Sequence, residues 1–177
     1  IRSQKQLITL SLKGRYVPHL MINEILEQPF TDTHLGQGRY SVELDLSAQA
    51  ISLSYLRSLN KQQVQLTAVK IFDPYIHENE GPKELIDSLS LHKKHLRSVS
   101  LSMNHISGFD APRILEGFKD LTWIEKLIIS RNALKDPGSQ AVAEIIASNP
   151  SLTFLEIDNT DLSDNGLKAI AIPLKRH

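Results

Sequence analysis

The chain has 177 residues, 41% of them hydrophobic and 23% charged, a composition that can build a core and excludes a disordered or fibrous chain. Its 20 Lys and Arg residues balance 20 Asp and Glu residues, which excludes a strong whole-surface field for nucleic acid or an anionic membrane. The absence of cysteine excludes a disulfide framework, a thiolate zinc site and a cysteine nucleophile. No run approaches the roughly 18 apolar residues of a membrane helix.

The first third of the chain holds two irregular copies of an aliphatic pattern. Residues 7–17 place Leu7, Leu10 and Leu12 at spacings that recur later, whereas residues 41–51 have Ser41 where the first aliphatic residue belongs. The turn-rich segment 28–41 separates the two copies. We favour a connector there over an inserted loop that contributes binding contacts.

Four further copies start at residues 66, 96, 124 and 152, and the last three starts are 28 residues apart (124 − 96 and 152 − 124). The pattern is L-x-x-L-x-L-x-x-(N/T)-x-L, in which other aliphatic residues replace some of the leucines. Helical periodicity follows each copy, and Pro173 is expected to end or kink the last helix. Each unit is therefore predicted to be a strand, a turn and a helix, with the helices over residues 81–89, 110–118, 139–148 and 164–170.

One unit of about 28 residues cannot bury its apolar side alone, but stacked units share a continuous core. Helices are about 10 Å wide whereas neighbouring strands are about 4.8 Å apart, so a stack with its helices outside curves. We therefore predict an α/β solenoid shaped as a horseshoe, with about six strand–turn–helix repeats and a parallel sheet on the concave face. It forms a single domain over residues 1–177, degenerate over 1–65 and regular over 66–177.

The best-preserved unit begins with Asn132-x-Leu134-x-Asp136-x-Gly138 and continues to Leu152. It resembles the leucine-rich repeat superfamily, in particular the ribonuclease-inhibitor-like class with its long helices and units of about 28 residues. The resemblance is close over residues 81–172 and weak over 1–65. It supports the fold prediction directly, whereas the fold itself serves many unrelated functions.

The asparagine position distinguishes the copies. The resemblance implies that Asn104 and Asn132 satisfy backbone groups in their turns. Pro74 occupies this position in the copy at 66 and cannot do so, which predicts a local distortion there. Thr160 occupies it in the last copy.

Strand residues alternate between the two sides of a sheet. With positions one, four and six turned toward the helices, positions three, five and seven face the concave surface and position eight lies beside them. The last two copies carry large apolar side chains among charged ones at these positions. Protein interfaces have the same arrangement, with an apolar anchor inside a charged rim. Single exposed apolar residues are also ordinary, and a flanking domain or terminal cap over Phe154 fits the pattern equally well. The predicted protein-binding residues are Phe72, Met103, Lys126, Ile128, Arg131, Phe154, Glu156 and Asp158.

No residues occur at a recognised catalytic or phosphate-binding spacing, and Gly36-Gln37-Gly38 lacks the third glycine of a dinucleotide loop. His92 and His95 bracket two lysines, which a solvated loop explains better than a metal site. We therefore expect no enzyme activity, no catalytic residues, no cofactor and no bound metal.

These observations favour a cytoplasmic, monomeric module that binds a protein partner through the concave sheet face, without nucleic-acid or membrane binding. Two alternatives stay open. The array could be the leucine-rich repeat part of a larger bacterial effector or innate-immune-type protein that acts on host or signalling proteins. It could also be a GTPase-activating regulator, for which an exposed Arg131 is the only candidate charge donor.

Overall fold

The computed structural model describes residues 7–11, 41–45, 56–57, 65–71, 76 and 80–176, with the backbone alone for the first two segments and residue 65. Among these residues, one parallel sheet contains six strands in chain order, as predicted. The strands are β1 (Leu7–Ser11), β2 (Ser41–Asp45), β3 (Gln65–Lys70), β4 (Ser98–Ser100), β5 (Lys126–Ile128) and β6 (Phe154–Glu156).

The pairing register of the sheet follows the predicted alignment of the copies. Position three of every copy lies in one row across the six strands, and position five lies in a second row. At the end of the sheet these rows pair Lys126 with Phe154 and Ile128 with Glu156. The residues that the pattern assigns to one surface are therefore neighbours in the sheet.

One part of the alignment is wrong, at the start of the copy in β2. Val42 pairs with Leu66 and Glu43 pairs with Ala68. Between these two pairs β3 therefore has one residue more than β2, as in a β-bulge. Ser41 consequently lies opposite Gln65, whereas the sequence alignment placed it opposite Leu66.

A helix follows each of the last four strands in the described part of the chain, as the periodicity predicts. The second helix tightens at its end into a 3₁₀-helix over Glu116–Asp120. The α-helices are α1 (Gly81–Ser90), α2 (Ala111–Leu115), α3 (Lys135–Ser148) and α4 (Asp164–Leu174).

Helix α3 begins at Lys135, four residues before the predicted start at Ser139. Pro137 fits in its first turn because the N–H groups there have no partner within the helix in any case. A Cβ atom on Gly138 would lie 2.7 Å from the Leu134 Cβ and 3.0 Å from the Ala111 Cβ, so glycine permits the close packing of α2 on α3. The first turn of α3 therefore contains Pro137 and Gly138, two residue types that usually interrupt a helix.

The aliphatic ladder lies between the sheet and the helices. Its side chains in the copies at 96 and 124 are almost completely buried, and each such burial contributes about 1.5–3 kcal/mol. The last copy differs, because Leu155, Ile157 and Leu162 pack against the core but stay partly exposed. The core of the array is thus closed in its middle and incomplete beside β6.

A buried asparagine joins consecutive repeats. The Asn132 Nδ2 donates hydrogen bonds to the carbonyls of Leu101 and Ile129, both at 2.9 Å. Its Oδ1 accepts from the backbone N–H groups of Asn104 at 3.0 Å and Ile106 at 3.1 Å. One side chain therefore satisfies buried backbone groups in two successive turns, which is the role that the family resemblance implies.

The same contact recurs one repeat earlier and is reduced one repeat later. The Asn104 Nδ2 donates to the carbonyls of Ile71 at 2.9 Å and Leu101 at 2.7 Å. The shorter Thr160 hydroxyl donates to the Ile157 carbonyl in its own turn at 2.7 Å. The distortion predicted around Pro74 lies outside the described residues.

A carboxylate provides a second link between the last two repeats. Asp136, in the first turn of α3, accepts hydrogen bonds from the Ser163 hydroxyl at 2.6 Å and the Ser163 N–H at 3.0 Å. These bonds, above all the one from the hydroxyl, lower the pKa of Asp136 below its usual value. Ser163 in turn caps α4 by accepting from the Asn165 N–H. The first turn of α3 is thus hydrogen-bonded to the residue that caps α4.

For the two N-terminal copies, the description includes strands but no complete helical half. The expected count of six complete repeats therefore stays a prediction, as does the division into degenerate residues 1–65 and regular residues 66–177. The predicted order, direction and pairing of the strands are present throughout.

Replacing Asn132 with alanine should lower the free energy of unfolding by about 3 kcal/mol, because it leaves several buried backbone groups without partners. Thr160→Ala is the matched control at the equivalent position of the last repeat, where one local hydrogen bond is lost and about 1 kcal/mol is expected. Urea unfolding of both variants measures the difference. Equal losses in the two variants would contradict the proposed link between repeats.

Candidate functional site

In the copies of β3 to β6, the side of the sheet that faces away from the helices carries the side chains at positions three and five. We call the part formed by β4 to β6 the open sheet face, which comprises Ser98, Ser100, Lys126, Ile128, Phe154 and Glu156. The intervening Val99 and Leu127 are buried in the core, as strand alternation requires. Ser100 is also buried, although its position places it on this face.

Two residues at the end of the open sheet face form a cation–π pair. The Lys126 Nζ lies 4.3 Å from the centre of the Phe154 ring. Their positions are opposite one another on β5 and β6, which places the two side chains side by side. The ring remains 44% exposed, so a large apolar surface is available beneath and beside a fixed positive charge.

A serine one repeat earlier orients the neighbouring carboxylate. The Ser130 hydroxyl donates to the Glu156 Oε1 at 2.9 Å and accepts from the Asp158 N–H at 3.0 Å. Ser130 is buried, and it was not among the residues predicted from the sequence. Its position seven in the repeat, next to acidic residues in the following copy, is the signal that could have identified it.

The residues at position eight lie in the turns that leave the strands. Met103, Arg131 and Asn159 all adopt positive φ angles, of 64°, 58° and 53°. The Arg131 N–H donates to the Asp158 carbonyl at 2.8 Å, and the Met103 N–H donates to the Ser130 carbonyl at 3.2 Å. These hydrogen bonds extend the sheet ladder past the strands and leave Met103 52% exposed and Arg131 exposed at its border.

The structure brings most of the predicted binding residues together. Lys126, Ile128, Phe154 and Glu156 form a block of two rows on β5 and β6, with Ile128 half-buried opposite Glu156. Arg131 and Asp158 lie in the adjoining turns, and Met103 lies one repeat further away. Phe72 lies outside the described residues, so its assignment stays a prediction.

The charges of this block are not neutralised within the described part of the array. The ion pairs found there join Arg57 to Glu84, Arg97 to Glu125 and Lys119 to Glu116, all away from the block. Lys126 contacts a ring and Glu156 contacts a hydroxyl, neither of which cancels a charge. Both signs of charge are thus available to a partner beside the exposed ring.

Two shallow cavities lie away from the open sheet face. One, of about 620 Å³, lies between α3 and α4 and is lined mainly by Ala143, Ala147 and Ile172. The other, of about 580 Å³, lies beside Phe109, which is 93% exposed and was not predicted as a contact residue. The lining of the first cavity also includes Glu144 and Arg176, and that of the second includes Lys135.

The prediction of a solvated loop is wrong for His92. This side chain is buried, and its Nε2 lies 2.7 Å from the Leu56 carbonyl, to which it donates. Burial lowers the pKa of His92 and so favours the neutral ring. The hydrogen bond to the Leu56 carbonyl acts in the opposite direction but is the smaller effect. His92 therefore joins two neighbouring units through its hydrogen bond to Leu56.

Within residues 80–176 and the shorter described segments, no three His, Asp or Glu side chains converge as metal ligands would. None of the helices described there combines the length and the apolar character that a membrane crossing requires.

A family model described as Leucine Rich repeat matches residues 92–108 and 148–171. The two segments hold strand β4 with its turn, and strand β6 with its turn and the start of α4. Together with the α/β architecture and the parallel sheet, they support a leucine-rich repeat protein. No curated protein matches the chain.

The contact between Lys126 and Phe154 should be measurable as a coupling free energy. A double-mutant cycle with Lys126→Met and Phe154→Leu, followed by urea unfolding, should give a favourable coupling of about 0.5–1 kcal/mol, as expected for an exposed cation–π pair. Lys119→Met on the helical side, paired with Phe154→Leu, is the control and should give none. A coupling of zero for the first pair would show that the ammonium does not lie over the ring.

Proposed function

We propose that this leucine-rich repeat array is a protein-interaction module that binds a protein partner through the open sheet face. Leucine-rich repeats commonly serve as protein-interaction modules, and the family is typically non-enzymatic. The observation that carries the proposal is the block on β5 and β6, in which a half-exposed aromatic ring lies among charges that lack ion-pair partners in the described array.

The chemistry of the block defines how such a partner would bind. Phe154 and Ile128 offer apolar surface that loses water on contact, the main favourable contribution at the centre of an interface. Lys126 and Arg131 present positive charge, and Glu156 and Asp158 present negative charge, so a partner with complementary charges would be held in one register. Serine side chains on β4 offer little apolar surface and would form the polar margin.

The size and shape of the array support this mode of binding. A standard interface covers about 800 Å² on each partner, which several adjacent strands can supply. We further propose that the array curves into a horseshoe of the ribonuclease-inhibitor-like class, with the open sheet face concave. The 28-residue spacing of the last three copies and the width of helices relative to strands support this shape.

The proposal predicts that Phe154→Ala weakens binding at least tenfold, which corresponds to about 1.4 kcal/mol, without unfolding the array. The partner is first identified by affinity capture from cells of the source organism and mass spectrometry. The dissociation constant of the purified pair is then measured by calorimetry for the original chain and the variant.

Phe109→Ala is the matched control, since it removes an even more exposed aromatic ring from a loop away from the sheet. Thermal unfolding verifies that both variants are folded. Unchanged affinity in Phe154→Ala, or an equal loss in Phe109→Ala, would remove the open sheet face from the binding site.

A further inference from the structure

The first turn of α4 contains the one Asn–Gly pair in the sequence, Asn165–Gly166. Asparagine is among the thermolabile residues, because its side-chain amide can be attacked by the backbone nitrogen of the residue that follows. Glycine in that following place hinders the attack least, since it has no Cβ atom. Asn165 is exposed, so its amide is accessible to water and hydroxide. The pair therefore has the chemistry of a deamidation site.

Deamidation requires that the backbone nitrogen of Gly166 be free to react. This nitrogen loses its proton to hydroxide and bonds to the Asn165 Cγ. The bond from that carbon to the side-chain nitrogen then breaks, and the nitrogen leaves as ammonia with a proton from water. Water opens the resulting cyclic imide to aspartate or to isoaspartate. A hydrogen bond that holds the Gly166 N–H therefore slows the first step.

Helix α4 cannot hold the Gly166 N–H by itself. A helical N–H donates to the carbonyl four residues earlier, and Gly166 lies in the first turn, where no such carbonyl belongs to the helix. The cap residue Ser163 accepts from the Asn165 N–H at 3.1 Å. The Gly166 N–H donates to the carboxylate of Asp136 at the start of α3. A side chain of the preceding repeat thus holds the nitrogen that would react.

Further contacts fix the Asp136 carboxylate beside Gly166. It accepts from the Ser163 hydroxyl at 2.6 Å and from the Ser163 N–H at 3.0 Å. A Cβ atom on Gly166 would lie 2.6 Å from the Asp136 Oδ1 and 3.1 Å from the Ser139 Oγ, so this close approach requires glycine. The negative charge of the carboxylate also opposes loss of the proton from the Gly166 nitrogen.

We propose that Asn165 is a deamidation site, and that the Asp136 carboxylate keeps it unreactive while the first turns of α3 and α4 are in contact. Transient opening of this contact releases the Gly166 N–H and allows the reaction. The inference goes beyond the proposed function, since it concerns the junction between two repeats rather than the open sheet face.

The two products differ in their effect on this junction. Aspartate at position 165 adds a carboxylate to the first turn of α4, where the helix dipole favours negative charge. Isoaspartate adds a methylene group to the main chain within that turn, which destroys the regular spacing of its backbone groups. Ser163 and Gly166 would then no longer donate to Asp136 together. Formation of isoaspartate would therefore release the start of α4 from α3.

The first test compares two measurements on the complete 177-residue chain and needs no variant. Mass spectrometry follows deamidation of Asn165 in the chain and in a synthetic peptide of residues 162–169, both in neutral buffer. Because reclosing is much faster than deamidation, the chain should react more slowly in proportion to the fraction of time for which the Gly166 N–H is released. Hydrogen exchange of the Gly166 amide measures the same fraction. Both measurements should give the same slowing, of at least tenfold.

The second test changes the carboxylate. Asp136→Ala should raise the deamidation rate at least fivefold, because the Gly166 N–H loses its acceptor. Asp136→Asn keeps an acceptor oxygen without the charge and should raise the rate less. The matched control Glu144→Ala removes an exposed carboxylate from the same helix and should change the rate less than twofold. Thermal unfolding verifies that the variants are folded.

Three results would overturn the proposal. The first is deamidation of the chain as fast as that of the peptide. The second is a slowing that differs more than tenfold from the protection of the Gly166 amide, since another motion would then control the reaction. The third is an equal rate in the folded variants Asp136→Ala and Glu144→Ala. If Asp136→Ala does not fold, the comparison in the original chain decides.

Discussion

The hydrogen bonds of Asn132 are the constraint on which the stacking of the described repeats depends. Turns that carry the chain from strand to helix leave backbone groups away from water, and an apolar core cannot satisfy them. Asn132 supplies two donors and an acceptor to the turns of its own and the preceding repeat. The hydrophobic ladder provides most of the favourable burial, and these directional contacts hold the repeat of β5 against the repeat of β4.

The open sheet face follows from the common register of the strands. Since every repeat is set against its neighbour in the same register, residues at one position of the pattern form rows across the sheet. A row can therefore vary its chemistry from strand to strand without disturbing the core. Serines on β4 are followed by the Lys126–Phe154 pair, and the mixed apolar and charged surface around this pair is the binding site that we propose.

Much of this arrangement could be predicted from the sequence because it depends on spacing. The recurring aliphatic pattern predicts the strands, the four helices and the pairing of Lys126 with Phe154. The sequence did not reveal the bulge at the start of β3, the early start of α3 or the burial of His92, because each depends on how one repeat packs against another. Ser130 was missed for the same reason, since its partners lie on the following strand and in the turn after it.

Hydrogen exchange at the Ile106 amide tests the central claim most directly. Ile106 lies in a turn, and its N–H donates to the Asn132 Oδ1 of the next repeat rather than to a backbone carbonyl. If the asparagine joins the repeats in solution, this amide should exchange as slowly as that of Leu127 within β5 and only upon unfolding of the array. Exchange of the Ile106 amide at the rate of an unprotected turn, while Leu127 remains protected, would contradict the account.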